Sequence, residues 1–194
     1  MRNRGFSLLE VLFTLGLLGL LMALAPFSWQ RLSSRQALSS AALRLLAEAQ
    51  RCQDLAMRYA THVGLLFDMD ERGPFFVVVR DANDNGVSRR DYLAGRDPVI
   101  AGPVHLSNFS PQVRLGPPAG CKLPVPGGSG MVPQSGLALG AAKILSFAPV
   151  VGARSGSIYL SAGSDVVALR VAPMGSVRLF RWNPRGGLWL PFTL

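Results

Sequence analysis

From Phe6 to Trp29 the chain is apolar almost without interruption, and this run constrains the fold more than any other stretch. A helix needs about 20 such residues to cross a bilayer core of roughly 30 Å. Arg2, Arg4 and Gly5 precede the run, and one acid, Glu10, lies near its start. A carboxylate at bilayer depth costs roughly 2.5–3.5 kcal/mol on insertion scales, so it calls for a counter-ion. Cutting the chain between Gly5 and Phe6 would make one, because the new α-amino group stands four residues from Glu10 on the same helical face. Across two chains, Glu10 of one meeting the amine of the other would set the stagger between helices. A charge pair out of water is costly when unmatched, which suits it to specifying register. An ordinary secretory signal, cut after Ala23-Leu24-Ala25, fits less well. Glu10 would interrupt its apolar core, and Pro26 would become the first mature residue. An unprocessed membrane anchor is the other alternative.

Gly5 followed by Phe6-Ser7-Leu8-Leu9-Glu10 resembles the processing site of type IV prepilins and type II secretion pseudopilins. The resemblance implies removal of leader 1–5 by a prepilin peptidase, N-methylation of Phe6, and an assembly salt bridge through Glu10. It also implies partnership with other major and minor pilins or pseudopilins in the inner membrane.

Arg2 and Arg4 hold the N-terminus in the cytoplasm by the positive-inside rule, which sends the remainder across, with Arg31 and Arg35 weakening the asymmetry slightly. The expected organisation is a leader at 1–5, a transmembrane and polymerisation helix at 6–29, its amphipathic continuation at 30–61, and a periplasmic β-rich domain at 62–194. An oxidising compartment permits a disulfide, and Cys52 and Cys121 are the only two cysteines. Cys52 falls on the helix and Cys121 in a loop, so their pairing stays open. The net charge is +9, and losing Arg2 and Arg4 lowers it by only two. That excess points to an acidic partner, either nucleic acid or protein.

Pro26 is expected to kink the helix. Beyond it, Leu38, Ala42, Leu45, Ala49, Cys52, Ala56 and Tyr59 alternate at spacings of four and three, one apolar stripe ending near Thr61. Arg44, Arg51 and Arg58 lie on another face, with Arg44–Glu48 and Asp54–Arg58 at i,i+4. The period then shortens. Strands are predicted at His62–Phe67, Pro74–Arg80 and Pro98–Leu106, the last broken at Gly102-Pro103, with a weaker one at Asn108–Leu115. Gly116–Gly140, rich in proline and glycine, reads as a long and mobile loop. Strand signals resume at Lys143–Ala148, Gly156–Ala162, Val166–Ala172, Ser176–Asn183 and Leu188–Phe192. The fold class is α+β, a long N-terminal helix packed on antiparallel β-sheets.

Ser146-Phe-Ala-Pro149 with Gly152, then Ser157-Ile-Tyr-Leu160, Val167–Val171 and Pro173-Met-Gly175-Ser-Val-Arg178, is similar to the C-terminal pattern of the GspH/FimT family of minor pseudopilins and pilins. That resemblance implies a pilin-like fold and a place at the tip of a secretion pseudopilus or a pilus. The tail 182–194 is extra to the pattern.

Asp81-Ala-Asn83-Asp-Asn85-Gly86 mimics the first half of a calcium-binding loop. Tyr92 stands where a bidentate Glu is required, a strand precedes it, and Asn-Gly favours a tight hairpin turn. His62 and His105, the only histidines, lie in predicted strands outside any ligand or nucleophile motif. Neither a metal nor a cofactor is expected, and the chain reads as the substrate of an enzyme rather than as one. Arg154, Arg170, Arg178, Arg181 and Arg185 accompany Trp182 and Trp189 in the last third. Converging, they would bind DNA through phosphate contacts, a role the resemblance supports through DNA-uptake pili. Arg178 and Arg181 are oddly spaced, however, and a regular strand would point them to opposite faces.

Overall fold

The computed structural model describes residues 7–150 and 152–192, with all their side chains except those of 21 and 23–30. Leader residues 1–5, Gly5 among them, and Phe6 therefore lie outside the described residues. Helix α1 runs from Leu8 to Tyr59, about 78 Å at 1.5 Å per residue, and continues through Pro26. It ends where Ala60 turns left-handed (φ 53°), so that the Ala60 and Thr61 amides close back on the Met57 and Ala56 carbonyls.

Two antiparallel sheets lie against the second half of α1. The first comprises β1 (Val63–Asp70), β2 (Gly73–Arg80), β3 (Val99–His105) and β6 (Ile144–Phe147), in the order β3-β2-β1-β6. The second comprises β4 (Arg114–Leu115), β5 (Leu137–Ala138), β7 (Gly156–Ala162), β8 (Asp165–Val171), β9 (Val177–Asn183) and β10 (Leu188–Pro191). Its order is β10-β9-β8-β7-β4, and β5 also pairs with β7. The α+β class and the antiparallel pairing match the sequence expectation. The helical stripe also matches: Leu38, Ala42, Leu45, Ala49, Cys52 and Ala56 are buried in one core with Leu65, Phe67, Phe76, Val78, Ile158, Leu160, Val167 and Leu169. Tyr59 departs from it. Its ring is exposed and carries the Arg80 guanidinium 5.2 Å above. Arg44 turns to the Phe109 ring instead of Glu48, which pairs with Arg51 at 3.6 Å.

The irregular segments cover the outward faces of both sheets. On the first sheet, Leu66, Val77, Val79 and Ile144 are sealed by Val87 and Tyr92 from the β2–β3 connection. On the second, Tyr159, Val166 and Ala168 are sealed by Leu123 and Val132 of segment 116–140, with Trp189 of β10 packed beside them. Segment 116–140 is therefore a packed flap, not the free loop expected. Leu123 and Val132 hydrogen-bond across it at 2.8 Å, and the Trp189 indole donates to the Pro124 carbonyl at 2.7 Å. The flap leaves and returns at one point. The Gly116 amide donates to the Tyr159 carbonyl and the Tyr159 amide to the Gly136 carbonyl, both at 2.8 Å.

Two further expectations are corrected, and one open question is answered. β3 continues through Gly102-Pro103, a cis peptide bond, with shifts of register instead of a break. Residues 81–88 are not a tight hairpin turn. The buried Asp81 carboxylate accepts the Asn83 and Gly86 amides (3.1 and 2.7 Å), and Ser88 caps the short helix α2 (Arg89–Leu93). A carboxylate that gathers its own downstream amides competes with strand pairing. Cys52 and Cys121 are free thiols, one buried in the helix–sheet core and the other exposed on the flap; the disulfide left open by the sequence is absent.

Candidate functional site: the N-terminal helix and the basic end of the β domain

Two regions hold the residues singled out in the sequence. The first is the start of α1. Ser7 is extended at the N-cap, and the Glu10 amide donates to its carbonyl at 3.0 Å. Glu10 is exposed in the first turn, where the positive end of the helix dipole favours a carboxylate. Around it Leu8, Leu9, Val11, Leu12, Phe13, Leu15, Leu17, Leu18, Leu20 and Met22 all stand exposed. The second half of the same helix buries its apolar stripe in the domain core. An apolar surface of that extent on a folded chain marks a membrane or protein contact. Among the described residues no helix is long and apolar enough to cross a membrane; the apolar run read from the sequence extends to Trp29, past the described side chains.

The second region holds the five arginines, which the structure separates. Arg170 on β8 and Arg178 on β9 are register partners on the outward face of the second sheet. Arg170 donates to the Pro126 carbonyl of the flap. With Ala172, Ser176 and Phe180 the two line a groove of about 320 Å³. Like charges directly opposite on a sheet repel, and the Pro126 carbonyl offsets part of that cost. Arg181 points to the helix side, where it donates to Ser39 Oγ at 2.8 Å and lies 4.8 Å over the Phe192 ring. The odd spacing from Arg178 thus has the effect expected. Arg185 is exposed in the β9–β10 turn. Arg154 borders a different cleft, about 540 Å³, with His62, Ser88, Arg89 and Ser146. No continuous patch of five forms.

The histidines have structural partners. His105 Nε2 lies 2.8 Å from Asp70 Oδ2, an interaction that holds the Asp70 carboxyl below its usual range. His62 lies just before β1, with Nδ1 3.7 Å from Asp81. Among the described residues, no group of three or more His, Cys, Asp or Glu is arranged to hold a metal ion.

The packing of the flap and the role of Ser39 were not evident from the sequence. A usable signal for the flap existed: Leu123-Pro-Val125 and Met131-Val132 are apolar arms around the turn-forming run Pro126-Gly-Gly-Ser-Gly130. Ser39 carried no signal, since its partner lies 142 positions away.

Residues 1–26 match the family described as the prokaryotic N-terminal methylation motif, which is typical of type IV pilins and pseudopilins. No curated protein and no solved structure matched the chain.

Proposed function

We propose that this chain is a minor pilin or pseudopilin, cut after Gly5 by a prepilin peptidase, methylated at Phe6 and held in the inner membrane by α1. The observation that carries the reading is the division of α1. Its second half is absorbed into the domain core, while its first half presents an apolar surface with Glu10 as the acid, directly after the methylation motif. Released into a filament, that first half would pack on the same segment of neighbouring subunits. Glu10 would meet the cationic end of an adjacent chain and set its axial position. The β domain would then be displayed on the periplasmic side. In this reading the protein does structural work and undergoes chemistry without performing any.

Mass spectrometry of the protein recovered from its native membrane tests the proposal. The expected mature form begins at Phe6, carries one additional methyl group and is lost in Gly5→Val. An intact Met1, or a chain beginning at Pro26, would refute it. The groove bordered by Arg170, Arg178 and Phe180 favours a second reading, a filament subunit that holds DNA. Retention of the full chain on DNA at low salt, released as salt rises and lost in the Arg170→Gln, Arg178→Gln double variant, would support it. Absence of retention at low salt would eliminate it.

A further inference from the structure

One end of the β domain points the same way as the exposed half of α1. Arg35 Nε is 3.1 Å from Asp165 Oδ2, and Arg181 donates to Ser39. The start of β8 and the end of β9 therefore sit level with helix residues 35–39, just where the helix leaves the core. The β9–β10 turn, Pro184–Gly187, extends beyond that level. The opposite end carries the Asp81 loop, tied to the helix C-terminus through Thr61 Oγ1 on the Asp81 carbonyl (3.2 Å) and the Asp81 amide on the His62 carbonyl (2.9 Å).

The chemistry of the first end is distinctive. Arg31 and Arg185 are exposed, with no acidic partner among the described residues. Leu32 on α1 and Leu188 and Leu190 on β10 are exposed as well. Trp182 and Trp189 form an edge-to-face pair with centroids 5.4 Å apart, partly open to solvent. Between α1 and β9–β10 runs a groove of about 330 Å³, bordered by Arg35, Trp182 and Leu190. Along a helix Arg31 stands about 3 Å, and Arg35 about 9 Å, beyond Trp29, the last residue of the apolar run. A headgroup layer is roughly 5–8 Å thick on each side of the hydrocarbon. Arg31 therefore falls inside that layer and Arg35 just outside it, the β9–β10 turn carries Arg185 toward the same depth, and the tryptophans, level with helix residues 35–39, stand just above the layer in which guanidinium groups meet phosphates.

We propose that this end of the β domain is a docking surface for anionic phospholipid headgroups. Arg31 and Arg185 contact the phosphates, and the Trp182–Trp189 pair stands immediately above them. The inference rests on the reading of Phe6–Trp29 as the membrane helix. It adds that the domain is held on the bilayer by its own basic rim while the subunit remains in the membrane.

The test uses the full chain carrying Trp29→Phe, so that emission comes only from Trp182 and Trp189. The chain is reconstituted into nanodiscs of phosphatidylcholine, with or without phosphatidylglycerol, containing a headgroup-spin-labelled lipid as quencher. The expected result is a loss of emission that is larger with phosphatidylglycerol. It should be reversed at about 1 M salt, where the screening length falls to about 3 Å, and diminished in Arg31→Gln, Arg185→Gln. Circular dichroism checks that each variant is folded. A chain that enters the discs but shows no quenching in either lipid overturns the inference and leaves the anchor standing. Quenching indifferent to phosphatidylglycerol, salt and both arginines also overturns it, since proximity alone would then explain the signal. A chain that fails to enter the discs overturns the anchor and the inference together.

Discussion

The crossing of Gly116 and Gly136 at Tyr159 yields the sharpest mutational prediction. Gly136 has φ +72°, and a Cβ placed on it would stand 2.2 Å from the Gly116 nitrogen and 2.6 Å from its Cα. Both obstacles are backbone. Gly136→Ala first incurs the left-handed conformation, about 1 kcal/mol for an L-residue. It must then part the two arms of the flap, which are joined through Tyr159 by hydrogen bonds of 2.8 Å on either side. Losing both adds about 2 kcal/mol at a net 1 kcal/mol each, for a total near 3 kcal/mol. Gly140→Ala is the control: its φ is +73° and nothing lies within 4 Å of the added Cβ, so only the conformational cost of about 1 kcal/mol remains. For a chain of this size each kcal/mol lowers Tm by about 2–4 °C. Thermal unfolding of the detergent-solubilised full chain should show a drop of about 6–12 °C for Gly136→Ala and about 2–4 °C for Gly140→Ala. The first variant should also alter tryptophan emission, because the flap holds the Trp189 indole through Pro124. Equal shifts for the two variants would mean that the arms do not meet, and the account of the flap would fail.

Two further outcomes follow from ionisable groups. Burial, with Glu48 adding to it, pushes the Cys52 thiol up to about 12. At pH 8 its thiolate fraction is then on the order of one part in ten thousand, so a thiol reagent should titrate only Cys121, and Cys121→Ser should abolish the reaction until the chain is unfolded; two thiols reacting alike would contradict the core placement. The hydrogen bond from His105, ahead of the Arg72 amide, holds the Asp70 carboxyl below its usual 3.8. A depressed carboxyl contributes stability above its unfolded value that is lost as pH falls through the folded one. Unfolding midpoints should accordingly fall more steeply below about pH 4 for the wild type than for Asp70→Asn, and parallel curves would dismiss the pair.

The strands were legible because their apolar residues cluster between glycine and proline turns, and β7, from Gly156 to Ala162, falls on its expected bounds. Of the weaker strand expected at Asn108–Leu115 only β4 forms, and the short helix at Arg89–Leu93 and the two-residue strand β5 were not legible, since elements that brief hold too few residues to show a period. The functional region divides the same way. The N-terminal methylation motif is legible because it is written in consecutive residues, whereas the fate of the five arginines depended on partners far along the chain.

What the sequence determined by itself, then, is local. It comprises the unbroken apolar start with its one acid, the stripe from Leu38 to Ala56, the antiparallel strands and the alternation that sends Arg178 and Arg181 to opposite faces. Tertiary structure decided what covers what. Val87 and Tyr92 close one sheet, Leu123 and Val132 close the other, Cys52 is kept from Cys121, and Arg185 is brought to the end where the helix emerges. The physical reason is that periodicity records which face of an element is apolar, while the identity of the group buried against that face is fixed only when chain segments distant in sequence compete for the same surface.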